Sequence, residues 1–255
     1  MSATPRLSAP WLIRLAGAWS LTVLAIVCPI VFLSDAVPAD AKVVTRMMLT
    51  ALVLWVGVGG ALMLRHREAI VRWWRAVPGP ESLKFVAGAT ALACIEEAIT
   101  VTMTNLAPVF GGTRGVEGIT NTTNYLHLIL LHSVIVFVPA FVVWGWLLRR
   151  YAFAPAQVFL LYGVTGTIAE ALSVRLDSLL AGYWIFVYGL FVWLPAEAMR
   201  RPPDLCPPRL RHGVAAVVLP FVAAIPVAFV AIGVDRALGL EHVAMHAAAG
   251  APPAR

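Results

Sequence analysis

Seven long apolar runs, separated by short polar or charged stretches, set the pattern along the chain, at about 12–34, 43–64, 84–105, 124–148, 156–175, 179–198 and 213–234. A helix needs roughly 20 mostly apolar residues to cross a hydrocarbon core about 30 Å thick. Each run approaches or exceeds that length. The pattern predicts an all-α polytopic membrane protein, with seven transmembrane helices in a single domain over 1–255. The connections are too short to hold an extramembrane domain.

Composition agrees with the pattern. Hydrophobic residues make up 60% of the 255 positions and charged residues 13%, with a mean hydropathy of +0.85. A water-soluble domain carries about 25% charged residues, so this chain could not cover a soluble surface. A soluble enzyme, a disordered tail and a nucleic-acid reader are excluded.

The net charge of +6 reads as topology. With the N-terminus inside, the cytoplasmic segments hold Arg6, Arg14, Arg65, Arg67, Arg72, Arg75, Lys84, Arg149, Arg150, Arg200, Arg201, Arg209 and Arg211. The other side holds Lys42, Arg46, Arg114, Arg175, Arg236 and Arg255. Thirteen against six follows the positive-inside bias and predicts N-in, C-out. Anionic membrane lipid is the partner this charge suits, and nucleic acid is not. The expected location is a cell membrane, multi-pass; the excess of arginine over lysine suits a GC-rich bacterial genome, and with it a bacterial inner membrane.

Two segments qualify that picture. The first apolar run is longer than the 7–15 residues of a signal-peptide core, so it is expected to stay as a span. Residues 65–78 mix arginines with Trp73 and Trp74. They suit either an interfacial helix or a basic loop with an aromatic belt. Cys28, Cys94 and Cys206 imply no disulfide framework.

Candidate chemistry comes from the acids. Of 13 acidic residues, all but Glu96, Glu97 and Glu170 fall in loops or at span ends. An ionised side chain at mid-bilayer costs about 2.5–3.5 kcal/mol on insertion scales, and no span carries a deep Lys or Arg. These carboxyls must therefore be protonated, hydrogen-bonded, bound to a cation or open to water.

Depth ties them to a histidine. At a rise of 1.5 Å per residue, Glu97 lies about 12 Å before the outer end of span three near Asn105. His132 lies about 12 Å into span four, and Glu170 about 8 Å before the outer end of span five. Glu96, Glu97, His132 and Glu170 thus form a candidate catalytic set in the outer half of the bilayer. Glu97, His132 and Glu170 form a candidate donor set for a divalent metal ion.

Neighbouring residues extend the reading. Thr100 and Thr104 share the Glu96 face, while Gly163, Gly166 and Thr167 lie near the Glu170 face, where small residues let helices approach. His127 sits about 140° around a straight helix from His132, which argues against a ligand pair. Asp235, His242 and His246 share a face only if the last helix continues. Asn121-Thr122-Thr123 is a formal glycosylation sequon.

Several chemistries lack their residues. Span seven has no lysine for a retinal Schiff base. No H-E-x-x-H, G-x-S-G or Cys-x-x-Cys is present. The glutamate pair in Cys94-Ile95-Glu96-Glu97-Ala98-Ile99-Thr100-Val101, with His132 in a later span, resembles the CAAX-type glutamate intramembrane proteases. Val101 stands where that family's E-E-x-x-x-R has arginine, and Leu128 where its F-x-x-x-H has phenylalanine. What the resemblance implies is glutamate-based hydrolysis within the membrane.

Three functions fit these residues. In an intramembrane hydrolase, glutamate-type or metal-dependent, a glutamate activates water, His132 steadies charge or moves a proton, and Glu170 orients the base or completes a metal site. In a proton- or cation-coupled transporter the same acids line a path. In a non-catalytic assembly subunit they bond a partner helix.

Overall fold

A computed structural model describes residues 9–173, 176 and 178–239. Arg6, Arg175, Arg255, His242 and His246, used in the sequence reading above, lie outside the described residues. The described residues are mostly helical, with α1 (Ala9–Leu33), α2 (Ala39–Leu52), α3 (Gly60–Ala76), α4 (Glu81–Asn105), α5 (Tyr125–Leu131), α6 (Val134–Leu148), α7 (Pro155–Ser173), α8 (Ser178–Ala181), α9 (Trp184–Ala198) and α10 (Leu210–Leu238). No strand occurs among them, and Tyr151 with Cys206 forms an isolated bridge.

Four helical runs are long and apolar enough to cross a membrane: Ala9–Leu33, Ala39–Ala76, Glu81–Asn105 and Leu210–Leu238. A fifth is formed if α5 and α6, bent by 45°, act as one span. The two remaining apolar runs fall short for physical reasons. The polar residues Gln157, Thr165, Thr167 and Glu170 dilute α7. The 15-residue α9 starts just after Gly182, whose φ of +71° belongs to the left-handed region.

The second run is continuous over 38 residues. Its π-helical stretch Val53–Gly59 joins α2 to α3, and the basic segment from Arg65 continues the same helix to Ala76. Trp55 leaves this stretch to reach the core, where its Nε1 donates to the Val187 carbonyl at 3.0 Å.

The core is centred on α7 and α9, which approach closely because glycines face their neighbours. A Cβ on Gly166 would stand 2.0 Å from Tyr188 Cγ, one on Gly163 2.4 Å from the Ile185 carbonyl oxygen, and one on Gly189 2.7 Å from Phe159. Small residues at helix contacts give this approach where lipid offers no hydrophobic drive. Phe137, Phe141, Tyr162, Tyr188 and Phe191 stack around the contact. α1 and α10 lie outside it, with Leu21, Ile30, Val222, Phe229 and Val230 exposed.

Arginines tie helix ends together at one end of the bundle. Arg67 pairs with Glu197, and Arg75 donates to the Glu197 carbonyl at 2.9 Å. The Arg200 amide donates to Glu81 at 2.8 Å, and Arg201 donates to the Phe153 and Ala196 carbonyls. This arginine end gathers α3, α4, α9 and the turn before α7. The Arg201 guanidinium, in the loop after α9, is held below its ordinary pKa by burial.

A folded loop, 106–124, closes the opposite end. Thr104 Oγ1 accepts from the Ile119 amide at 3.1 Å and the Thr120 amide at 3.2 Å. Asn105 Nδ2 donates to the Thr123 carbonyl at 2.9 Å, and Arg46 donates to the Phe110 carbonyl at 2.9 Å. These bonds bring Asn121 and Thr122 back over the bundle.

Candidate functional site

The apolar run of α5 and α6 is broken where its polar residues sit. Asn124 caps α5, its Oδ1 accepting from the Leu126 and His127 amides at 3.0 and 3.1 Å, as N-cap asparagines do. The Leu128 carbonyl then accepts from both the His132 and the Ser133 amides, at 3.1 and 3.0 Å. With that double acceptance the regular ladder ends, and α6 starts afresh at Val134 on the bent course. His132 and Ser133 therefore point differently from their places on a straight helix.

Two polar groups meet at this break. The first holds the glutamates: Glu96 and Glu97 from α4, and Glu170 from α7. Glu97 is buried at 8% exposure. The Thr100 hydroxyl lies 3.1 Å from both its Oε2 and its carbonyl oxygen, and the Ser133 hydroxyl, which donates to the Leu128 carbonyl at 3.4 Å, lies within reach of its carboxylate. The Tyr188 hydroxyl of α9 donates to Glu170 in a short contact. Glu96, half-buried, lies within reach of the charges of both Glu97 and Glu170. None of the ion pairs among the described residues involves these three carboxylates.

The second group lies nearer the loop end. His127 Nε2 is 2.7 Å from Asp235 Oδ1 of α10, His132 Nε2 is 3.5 Å from the same oxygen, and the two Nε2 atoms are 3.1 Å apart. The loop holds the other face of each ring. Asn121 Nδ2 is 2.7 Å from His132 Nδ1, and Thr122 Oγ1 is 3.1 Å from His127 Nδ1. The side chains of His127, Asp235 and His132 are 8%, 7% and 16% exposed, so the group is largely closed off.

Glu96 and Glu97 of α4 and Glu170 of α7 lie within electrostatic range of one another, with Tyr188 at Glu170 and Thr100 at Glu97. The ring of His132 meets His127, Asn121 and Asp235, while its chain neighbour Ser133 meets Glu97. Sequence reasoning passed over His127 because it assumed a straight helix. It tied Asp235 only to the chain that follows. The signal it left unused was position: both residues lie at the loop end, His127 three residues after the Asn124 cap and Asp235 near the end of the last helix.

Among the described residues, His127, His132 and Asp235 form a group that could hold a metal ion, with one donor atom from each and all three within 4.8 Å of one another. Comparison with protein-family models, curated proteins and solved structures returns no match.

Proposed function

We propose that the protein is a seven-span membrane enzyme of hydrolytic type, with its N-terminus and its arginine end in the cytoplasm of a bacterial inner membrane. In this reading α7 and α9 complete the set of spans, and the polar groups lie in the outer half of the bilayer. The shared arginine end of α3, α4 and α9 supports this arrangement, because alternate helix ends then carry the positive charge.

The observation that carries the catalytic reading is the pair His132 and Ser133. These consecutive residues join the imidazole–carboxylate group to the glutamate group. A buried glutamate held by hydroxyls, beside imidazoles that can bear or pass a proton, is the equipment of general-base attack by water. Glu97 is the base, steadied by Ser133 and Thr100. Glu170, held by Tyr188, and Glu96 set the field around it, and His132 meets charge developing on the attacked group. The resemblance to glutamate intramembrane proteases points the same way. It extends to the Glu96–Glu97 pair and His132, with Val101 and Leu128 at the positions where it ends.

The test compares the wild type with Glu97→Gln and Glu170→Gln in proteoliposomes carrying a panel of membrane-embedded peptides and lipid esters. Loss of hydrolysis in both variants, with unchanged elution and melting, is the expected result. Full activity in both would sink the glutamate mechanism. Uptake driven by a pH gradient, with no bond cleaved, would replace it by proton-coupled transport through the same acids.

A further inference from the structure

We propose that His127, His132 and Asp235 form a resident site for a divalent transition-metal ion of the zinc class. The assignment rests on donor geometry and does not depend on hydrolysis.

Three atoms that carry lone pairs converge there. The edges of their triangle measure 2.7 Å, 3.1 Å and 3.5 Å. A tetrahedral ion bound at about 2.0–2.1 Å sets its ligand atoms roughly 3.3 Å apart, which lies inside that range. A proton and a cation serve such a triangle differently. A ring nitrogen carries at most one hydrogen, directed outward in the ring plane, so it satisfies one edge and not two. One cation at the centre satisfies all three atoms together.

The outer shell follows the same logic. A histidine that binds metal through Nε2 has its Nδ1–H held by an oxygen, which fixes ring and tautomer. Thr122 Oγ1 stands at Nδ1 of His127. Asn121 stands at Nδ1 of His132, and a half-turn of its amide presents Oδ1 there without moving the backbone. Both partners come from one folded loop, itself pinned to Thr104 and Asn105.

Donor type selects the ion. Two imidazoles and one carboxylate suit zinc and its first-row neighbours, whereas magnesium and calcium favour all-oxygen shells. Three protein donors also leave a position for water or substrate, as in catalytic zinc sites.

The test uses the full-length chain, purified in detergent through a tag without histidine. Zinc per chain is measured after equilibration with Zn²⁺ and removal of free ion. Metal-stripped protein is then titrated with Co²⁺, read by its visible d–d absorption. One ion per chain is expected. His127→Ala and Asp235→Asn should each weaken binding by more than about a hundredfold in fractions that elute and melt as the wild type does. Glu97→Gln and Glu170→Gln should keep the ion. Wild-type protein that holds neither Zn²⁺ nor Co²⁺ overturns the site whatever the variants do. Unchanged affinity in folded Asp235→Asn overturns it too, as does loss confined to the glutamate variants. A chain that binds the ion through these residues yet cleaves nothing sinks the hydrolase reading alone.

Discussion

His127 and His132, five residues apart in sequence, bring their Nε2 atoms to 3.1 Å of each other. On an unbroken helix the two side chains would point about 140° apart. The break after Leu131 removes that constraint, and the rings lie with centroids 4.7 Å apart and planes at 59°. The imidazole–carboxylate group thus arises from a break between two helices rather than from a spacing along one.

The loop that orients these rings should matter to affinity more than to folding. Asn121→Ala removes the group at Nδ1 of His132 and leaves every ligand atom in place. Removal of such an outer partner typically costs about 10- to 100-fold in metal affinity. Co²⁺ titration should show that loss, with little change in melting temperature. An unaltered titration would mean that His132 is oriented by something other than Asn121.

Tyr188 links the core to the glutamates, since its ring packs on Phe137 and Phe191 while its hydroxyl donates to Glu170. Tyr188→Phe keeps the packing and removes the donor. Leaving a buried acceptor short of its partner costs about 1–3 kcal/mol. The variant should therefore melt lower in detergent, and any turnover should fall with it. Ser133→Ala, which takes a hydroxyl from beside Glu97, should lower turnover while leaving metal content at one ion per chain. Loss of the ion in Ser133→Ala would show that the two groups cannot be separated.

Hydropathy made the apolar helices legible, because a bilayer imposes a length that the sequence displays directly. The runs near 12–34, 84–105 and 213–234 correspond to α1, α4 and α10, each within a few residues. Other features were hidden for physical reasons. The continuation of α2 through Val53–Gly59 to Ala76 crosses from apolar to basic sequence, and composition alone reads that change as a boundary. A shared depth for Glu96, Glu97 and Glu170 follows from the constant rise of a helix and needs no knowledge of packing. Position puts His127 and Asp235 at the same loop end, but it does not turn His127 toward His132, because depth says nothing about a bend. The break depends on how the Leu128 carbonyl shares its bonds, and no residue type between 128 and 133 announces it.

Close approach of α7 and α9 should be the packing most sensitive to a single methyl group. Gly166→Ala would place a Cβ 2.0 Å from Tyr188 Cγ, and Gly163→Ala one 2.4 Å from a backbone oxygen. Neither obstacle is the free end of a flexible chain, so the helices must separate. Overpacking of this kind costs typically about 1–3 kcal/mol. Gly166→Ala should also disturb the Tyr188–Glu170 contact, and with it activity. Gly213→Ala, where a Cβ meets nothing within 4 Å, is the matched control and should melt like the wild type.

Orientation can be read from a cysteine the protein already carries. Cys206 is exposed, while Cys28 and Cys94 are partly buried within helices. Its carbonyl accepts from the Ala152 amide at 2.9 Å, which fixes it at the arginine end beside Tyr151. If positive charge marks the cytoplasmic side, a membrane-impermeant maleimide should label Cys206 in inside-out vesicles and spare it in intact spheroplasts. Cys206→Ala should abolish the signal, which assigns it to that thiol. Labelling from the outside would invert the bundle. The imidazole and glutamate groups would then lie in the cytoplasmic half of the bilayer, and any substrate would have to reach them from within the cell.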